Sequence, residues 1–199
     1  MHNTKEKILL AALDLFAQDG YQAVSVSQIA GKLGITKGAL YRHYQNKRDI
    51  FDHILSRMAQ QDARQAADFS LPEGTVSQMP DAYRQSSLNQ LVAFSYAQLL
   101  YWTQDDFAAP FRRLLTLEQY RDTEMARLYQ QYLSSGPAGY VTDLLQALGY
   151  DQPAQRALAF YGPMLLLMSL HDGGQDIIPL AQDYFRGAYR LLWEARPCK

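Results

Sequence analysis

The chain has 199 residues, of which 48% are hydrophobic and 20% are charged, and its formal net charge is −1. This size and composition suit one or two globular domains with a sizeable core, and they exclude a uniformly basic protein that coats nucleic acid. The single cysteine, Cys198, excludes an internal disulfide, and no apolar run is as long as a membrane span, so we expect a soluble, cytoplasmic protein.

The charges are unevenly distributed along the chain. Residues 1–48 contain seven Lys or Arg against three Asp or Glu, which gives a net charge of +4 and leaves −5 for residues 49–199. A basic head on an acidic body is expected when only the head contacts a polyanion such as DNA. We therefore predict a DNA-binding domain over 1–48 and a second helical domain over 49–199.

A first helix is predicted to begin at Asn3 or Thr4 and to end at Gly20. Two shorter helices joined by a tight turn follow it. Ser25, with a Gln three residues later, favours a capping box at the start of the first of these, and Gly34 can supply the left-handed residue at its end. Thr36 can cap the second helix, which is predicted to run to about Tyr44. This pattern is typical of a helix-turn-helix, whose second helix can lie in the DNA major groove.

The candidate DNA-binding residues lie on the outward positions of this unit or at its helix starts. Lys37 and Arg42 can reach phosphates or guanine edges, while Gly38 lets the backbone approach closely. The full set is Ser25, Ser27, Thr36, Lys37, Gly38, Ala39, Tyr41, Arg42, His43 and Lys47. The alternative is an ordinary helical hairpin with a solvated basic face, and the short pattern alone leaves both open.

A longer series of residues carries a family resemblance. It comprises Ile8–Phe16, Gly20-Tyr21, Val26–Ala30, Leu33–Tyr44 and Asn46-Lys47. On these residues the first fifty or so positions resemble the DNA-binding domain of the tetracycline-repressor (TetR/AcrR) family of bacterial regulators. The segment Val24-Ser25-Val26 departs from the family, whose members often carry Thr there. The resemblance implies a double-stranded DNA operator as partner and a C-terminal domain that binds a small molecule.

The spacing of apolar residues predicts helices throughout the remaining chain. We therefore predict an all-α fold, in which the three-helix head is joined to a C-terminal ligand-binding and dimerisation bundle. A long helix begins at Asn46, and residues 69–81 form a loop. Further helices are predicted over 88–102, 107–133, 140–148, 153–170 and 179–194. Gly136-Pro137 separates two of them, and Gly162-Pro163 predicts a kink inside the next.

Aromatic residues are dense in the middle third and favour either an apolar ligand pocket or an ordinary aromatic core. The residues predicted to line the pocket are Trp102, Phe111, Tyr120, Tyr129 and Met164. Charged residues alternate with them, and we expect most of these to be solvated with one or two turned inward to orient a ligand: Arg112, Arg113, Glu118, Arg121 and Glu124. Isolated His–Asp pairs do not make a metal or catalytic site, so neither a cofactor nor enzymatic activity is predicted.

The favoured hypothesis is a homodimeric transcriptional regulator, most simply a repressor that a small apolar ligand releases from a palindromic operator. The alternatives are a helical enzyme with an accessory helix-turn-helix and a DNA-binding module without a ligand. The resemblance implies pairing through the last two helices, where the candidate apolar residues are Leu165, Met168, Leu180, Tyr184, Ala188 and Leu191. These residues alternatively complete the core of one subunit.

Overall fold

The computed structural model describes residues 4–72 and 76–193, the last five by their backbone alone. Within them the chain forms α1 (Thr4–Asp19), α2 (Val26–Lys32), α3 (Lys37–Tyr41), α4 (Lys47–Asp68), α5 (Pro80–Gln85), α6 (Leu88–Gln104), α7 (Ala108–Glu118), α8 (Thr123–Leu133), α9 (Ser135–Ala147), α10 (Pro153–Asp172) and α11 (Ile178–Trp193). The described residues include no strand, and the predicted all-α fold is confirmed. Asn3, Cys198 and the side chain of Leu191 lie outside this description.

The chain divides into two compact units. The first unit comprises Met1–Asp62 and Gln104–Tyr129, and the second comprises Ala63–Thr103 and Gln130–Lys199. The predicted boundary at residue 48 follows the sequence motif, whereas packing adds the first part of α4 and the whole of α7 to the head. The first unit is therefore larger than a helix-turn-helix.

The core of the first unit forms where α1 packs against α2 and α7. Ile8 and Phe16 of α1, Ile29 of α2 and Phe111 of α7 are fully buried. Tyr44 closes the end of the recognition segment, because its hydroxyl donates to the Lys5 carbonyl oxygen at 3.1 Å. Burial raises the pKa of Tyr44 to about 12, so the phenol stays neutral and keeps this hydrogen bond.

The second unit has its own core, in which α9 packs against α5 and α10, and α10 against α11. Leu144, Phe160, Met164 and Ala181 are among its buried residues. The Tyr161 hydroxyl donates to the Leu133 carbonyl oxygen at 3.0 Å, which satisfies a buried phenol and ties α10 to the end of α8.

Several predicted boundaries differ from the structure for local reasons. The helical stretch predicted over 107–133 is two helices, since Asp122 Oδ1 accepts from the backbone N–H groups of Glu124 and Met125 at 2.9 and 3.0 Å and so starts α8. Gly136-Pro137 does not separate helices but lies in the first turn of α9, where a proline is tolerated. The short α5 was not predicted, and α10 continues through Pro163 as one helix.

Candidate nucleic-acid interface

The recognition segment is held by the caps that the sequence predicts. Ser25 and Gln28 form a complete capping box at α2: Ser25 Oγ accepts from the Gln28 N–H at 3.3 Å, and Gln28 Oε1 accepts from the Ser25 N–H at 2.8 Å. Gly34 adopts a φ of +65° in the turn, which favours glycine. Thr36 Oγ1 accepts from the Ala39 N–H at 3.1 Å and starts α3. These local bonds fix the direction of α3.

The buried side of α3 anchors it, and its other side faces outward. Leu40 is fully buried, whereas Tyr41 and Arg42 are exposed. Lys37 Nζ lies 5.9 Å from the centre of the Tyr41 ring, close enough for a cation–π contact. Within the described part of the chain, no ion pair engages Lys37 or Arg42. The outward side of α3 thus carries two cations that remain available to a polyanion.

Gly38 lies in this exposed patch without a structural need for glycine. A Cβ atom at this position would meet only Thr36 Oγ1, at 3.9 Å, which is ordinary van der Waals contact. The fold therefore tolerates alanine at position 38. The absence of a side chain leaves the backbone of α3 open to close approach by another molecule.

The other predicted contacts have different surroundings. Ser25 and Ser27 are exposed, and Ala39 and His43 are half-buried. The Ser25 hydroxyl donates to Gln28 Oε1 at 2.8 Å, so its donor is committed to the cap rather than to a phosphate. Thr36 is exposed and uses its oxygen as an acceptor, which leaves its hydroxyl hydrogen free to donate outward.

Lys47 does not extend outward as predicted. Its Nζ donates to the carbonyl oxygens of Tyr21, Gln22 and Val24 at 2.7, 3.3 and 2.9 Å, and it lies 4.5 Å from the centre of the Tyr21 ring. An ammonium group has three donors, and all are occupied. Burial lowers the pKa of Lys47, and the Glu118 charge opposes this shift. The predicted phosphate contact is corrected: the Lys47 side chain holds the loop between α1 and α2.

The residues predicted to line a pocket are divided between the two units. Trp102 and Met164 are buried in the second unit, and Phe111 is buried in the first. Tyr129 is half-buried. Tyr120 is 88% exposed in the turn between α7 and α8, so it does not line an enclosed cavity and is removed from the predicted set.

Two charged residues of α7 are buried although the sequence pattern favoured a solvated face. Arg112 and Glu118 are each 3% exposed. Glu118 turns inward as one or two of these residues were expected to, but its carboxylate binds the backbone of the α1–α2 loop rather than an open pocket. A helical pattern of mixed charge and apolar residues contains no signal that distinguishes these two positions from their exposed neighbours.

Comparison with known proteins identifies the head. The family model described as "Bacterial regulatory proteins, tetR family" matches residues 8–54, which span α1 to the first part of α4. Over these residues, about a quarter of its length, the chain is similar to the TetR family.

Curated relatives match about a quarter of the chain. The chain is 44% identical over 48 residues to the transposon Tn10 TetC protein of Escherichia coli, covering 24% of each chain. It is 43% identical over 54 residues to the HTH-type transcriptional repressor BepR of Brucella suis biovar 1, covering 27% of this chain and 26% of that one. The match thus spans about a quarter of the length of these relatives.

Solved structures resemble this chain over almost its whole length. A TetR-like transcriptional regulator from Rhodococcus sp. RHA1 superposes with a TM-score of 0.65 at 20% identity, covering 97% of this chain and 98% of that one. The SmeT–triclosan complex superposes with a TM-score of 0.57 at 19% identity, covering 96% of this chain and 90% of that one. At this identity the likeness establishes a shared fold.

No group of three or more His, Cys, Asp or Glu among the described residues is placed to hold a metal ion. No helix within 4–72 and 76–193 is long and apolar enough to cross a membrane.

Proposed function

We propose that this chain is a DNA-binding transcriptional regulator that reads its operator with α3. The observation that carries the proposal is the outward side of α3, where Lys37, Tyr41 and Arg42 are exposed on a helix fixed by Leu40 and by two caps. Cations in such a position pair with phosphates or guanine edges in the major groove. The curated relatives are named as regulators rather than as enzymes, which supports a regulatory role.

Each exposed residue of the interface has a distinct proposed role. Lys37 and Arg42 neutralise phosphates or donate to guanine, and the Tyr41 hydroxyl donates to a phosphate oxygen. Gly38 allows the backbone to approach a base edge. In place of the Lys47 side chain, the backbone N–H groups of Lys47 and Arg48 at the start of α4 supply the phosphate site, because Asn46 Oδ1 already accepts from the Asp49 N–H at 2.9 Å.

A homodimer through α10 and α11 is the proposed assembly. Leu158 and Leu166 of α10 are 70% and 61% exposed, and Leu180 of α11 is 45% exposed. Leu158 and Leu166 lie eight residues apart on one side of their helix, as residues of a helix–helix interface do. Met168 and Ala188, which were predicted at the interface, are buried within the subunit and belong to its core instead. Two-fold pairing suits a palindromic operator.

A small apolar effector is the proposed ligand, and release from the operator is the proposed response, which makes the chain a repressor. The SmeT structure is a complex with triclosan, and its fold covers this chain almost fully. Trp102 and Met164, both buried in the second unit, are the remaining candidate contacts of this ligand. The effector must bind the DNA-incompetent state more tightly to cause release. A regulator of this kind acts in the cytoplasm.

The test is selection of DNA by the wild-type protein from a randomised duplex library, followed by binding measurements on the selected duplex. We expect a palindrome, and we expect Arg42→Ala to lower the affinity by about 1–3 kcal/mol, the usual value of a specific base or phosphate contact. Arg84→Ala, which removes an exposed cation of α5, is the matched control and should bind like wild type. Failure to enrich any duplex, or equal losses for Arg42→Ala and Arg84→Ala, would contradict the proposal.

A further inference from the structure

Glu118 is a buried carboxylate in an unfavourable place for its own helix. It is the last residue of α7 and is 3% exposed. A negative charge at the C-terminal end of a helix meets the negative end of the helix dipole, and burial adds a desolvation cost. Neither helix propensity nor apolar packing explains an acid at this position, so the explanation must lie in what the carboxylate binds.

The carboxylate binds the loop that joins α1 to α2. Glu118 Oε1 accepts from the Tyr21 backbone N–H at 3.0 Å, across 97 residues of sequence and within the first compact unit. The preceding residue, Gly20, has a φ of +87°, and a Cβ atom on it would lie 2.3 Å from Glu118 Oε1. Glycine therefore meets two requirements here, since it adopts the left-handed backbone and makes room for the acid.

The same loop is held from its other side by Lys47. The Tyr21 peptide N–H is bound by Glu118, and the Tyr21 carbonyl oxygen is bound by Lys47 Nζ at 2.7 Å. Lys47 also binds the Val24 carbonyl oxygen, directly before the Ser25 cap of α2. The two opposite charges are thus linked through one loop, and they fix the point at which the helix-turn-helix begins.

A second ion pair joins the same parts of the unit. Arg48 donates to both carboxylate oxygens of Glu124, at 2.5 and 2.7 Å. This bidentate geometry is specific in direction as well as favourable. Residues near the start of α4 are therefore connected to the α7–α8 segment at two places, by the Lys47–loop–Glu118 chain and by Arg48–Glu124.

We propose that Glu118 is a positioning residue for DNA recognition, which holds the α1–α2 loop so that α2 and α3 present a fixed recognition surface. The proposal rests on the proposed function, because it assigns a role within the same DNA-binding site. Glu118 contacts no DNA in this scheme. It acts through the Tyr21 peptide, and the buried charge is retained for geometry rather than for stability.

The test compares Glu118→Met with Glu118→Gln in the full-length protein. Met has a similar length and no acceptor. It removes a buried charge but also leaves the Tyr21 N–H unpaired, and because these effects oppose each other the melting temperature should stay within about 4 °C of wild type. The Tyr21 amide should exchange its hydrogen at least about tenfold faster, and the affinity for the wild-type-selected duplex should fall about tenfold. Glu118→Gln retains an oxygen acceptor and should stay within about threefold of wild type in both measurements.

The alternative outcomes separate the claims. A Glu118→Met protein with wild-type Tyr21 protection, or with wild-type DNA affinity, would overturn the positioning role. A loss of affinity that only follows a lower melting temperature, and that Gln does not rescue, would make Glu118 a merely structural residue. If the wild-type protein selects no duplex, the proposed function fails, while Tyr21 exchange in the free protein still decides whether Glu118 holds the loop.

Discussion

The two compact units use their polar and apolar residues in opposite ways. In the first unit, buried or half-buried charges are committed to specific partners, as with Glu118 and Lys47 on the α1–α2 loop, and free cations remain at the surface of α3. The second unit instead exposes large apolar side chains on α10 and α11, namely those of Leu158, Leu166 and Leu180. The first unit is thus suited to a charged partner, and the second to an apolar one.

The largest expected effect comes from changing the exposed apolar surface of the second unit. Leu158→Arg combined with Leu166→Arg places two like charges in each half of the proposed dimer interface. We expect a monomer by light scattering and about hundredfold weaker binding to the selected palindrome, since the two heads then bind independently. Met79→Arg replaces another exposed apolar residue outside α10 and α11 and should remain dimeric. A dimer in the double variant would exclude α10 as the interface.

The second prediction separates two lysines that the sequence treats alike. Lys47→Met leaves three loop carbonyls without their cation and should lower the free energy of unfolding by about 2 kcal/mol. Lys37→Met removes an exposed cation and should change it by less than about 0.5 kcal/mol. Chemical denaturation at one protein concentration measures both variants. If Lys47→Met changed the free energy of unfolding as little as Lys37→Met, the Lys47 contacts would contribute nothing to the stability of the first unit.

The contrast between these lysines also shows how far sequence can reach. The caps at Ser25 and Thr36 and the left-handed Gly34 were predicted correctly, because each depends on residues within a few positions. The role of Lys47 depends on carbonyls 23 to 26 residues away, and that of Glu118 on an amide 97 residues away. No local pattern contains such contacts, so Lys47 was predicted to bind DNA and Glu118 was grouped with charged residues expected to be mostly solvated.

The prediction of pocket residues was also limited because a local sequence pattern contains no long-range contacts. Aromatic density correctly indicated a core, as the burial of Trp102 and Phe111 shows, but it could not assign residues to units. Tyr120 was grouped with them because the break between α7 and α8 was not predicted. That break depends on Asp122, whose carboxylate caps α8 and leaves Tyr120 in an exposed turn.

Two glycines provide a third test within the first unit. Gly20→Ala should lower the free energy of unfolding by about 1–2 kcal/mol from backbone strain alone, and by more because its Cβ meets Glu118 Oε1. In a Glu118→Met background that extra loss should shrink, which a double-mutant cycle measures. Gly38→Ala should instead stabilise the protein by up to about 0.5–1 kcal/mol while weakening DNA binding. A neutral Gly20→Ala would argue against the close loop contact.

The smallest expected effect concerns Asp62 at the end of the first unit. Burial raises the pKa of the Asp62 carboxyl to about 6, above its ordinary value near 4. A raised folded pKa means that the ionised acid destabilises the protein, fully above about pH 6 and not at all below about pH 4. Asp62→Asn should therefore stabilise by about 1 kcal/mol at pH 7, and the gain should vanish in acid. A gain that is independent of pH would have another cause.

The most direct test of the account is the salt dependence of DNA binding for wild type, Lys37→Met and Lys47→Met on the wild-type-selected duplex. Each phosphate contact contributes about 0.9 to the slope of log affinity against log salt concentration. We predict that Lys37→Met loses about one such unit, while Lys47→Met, at a temperature where it is folded, keeps the wild-type slope. A slope that falls for Lys47→Met and stays unchanged for Lys37→Met would contradict the assignment of the exposed α3 surface to DNA and of Lys47 to the loop.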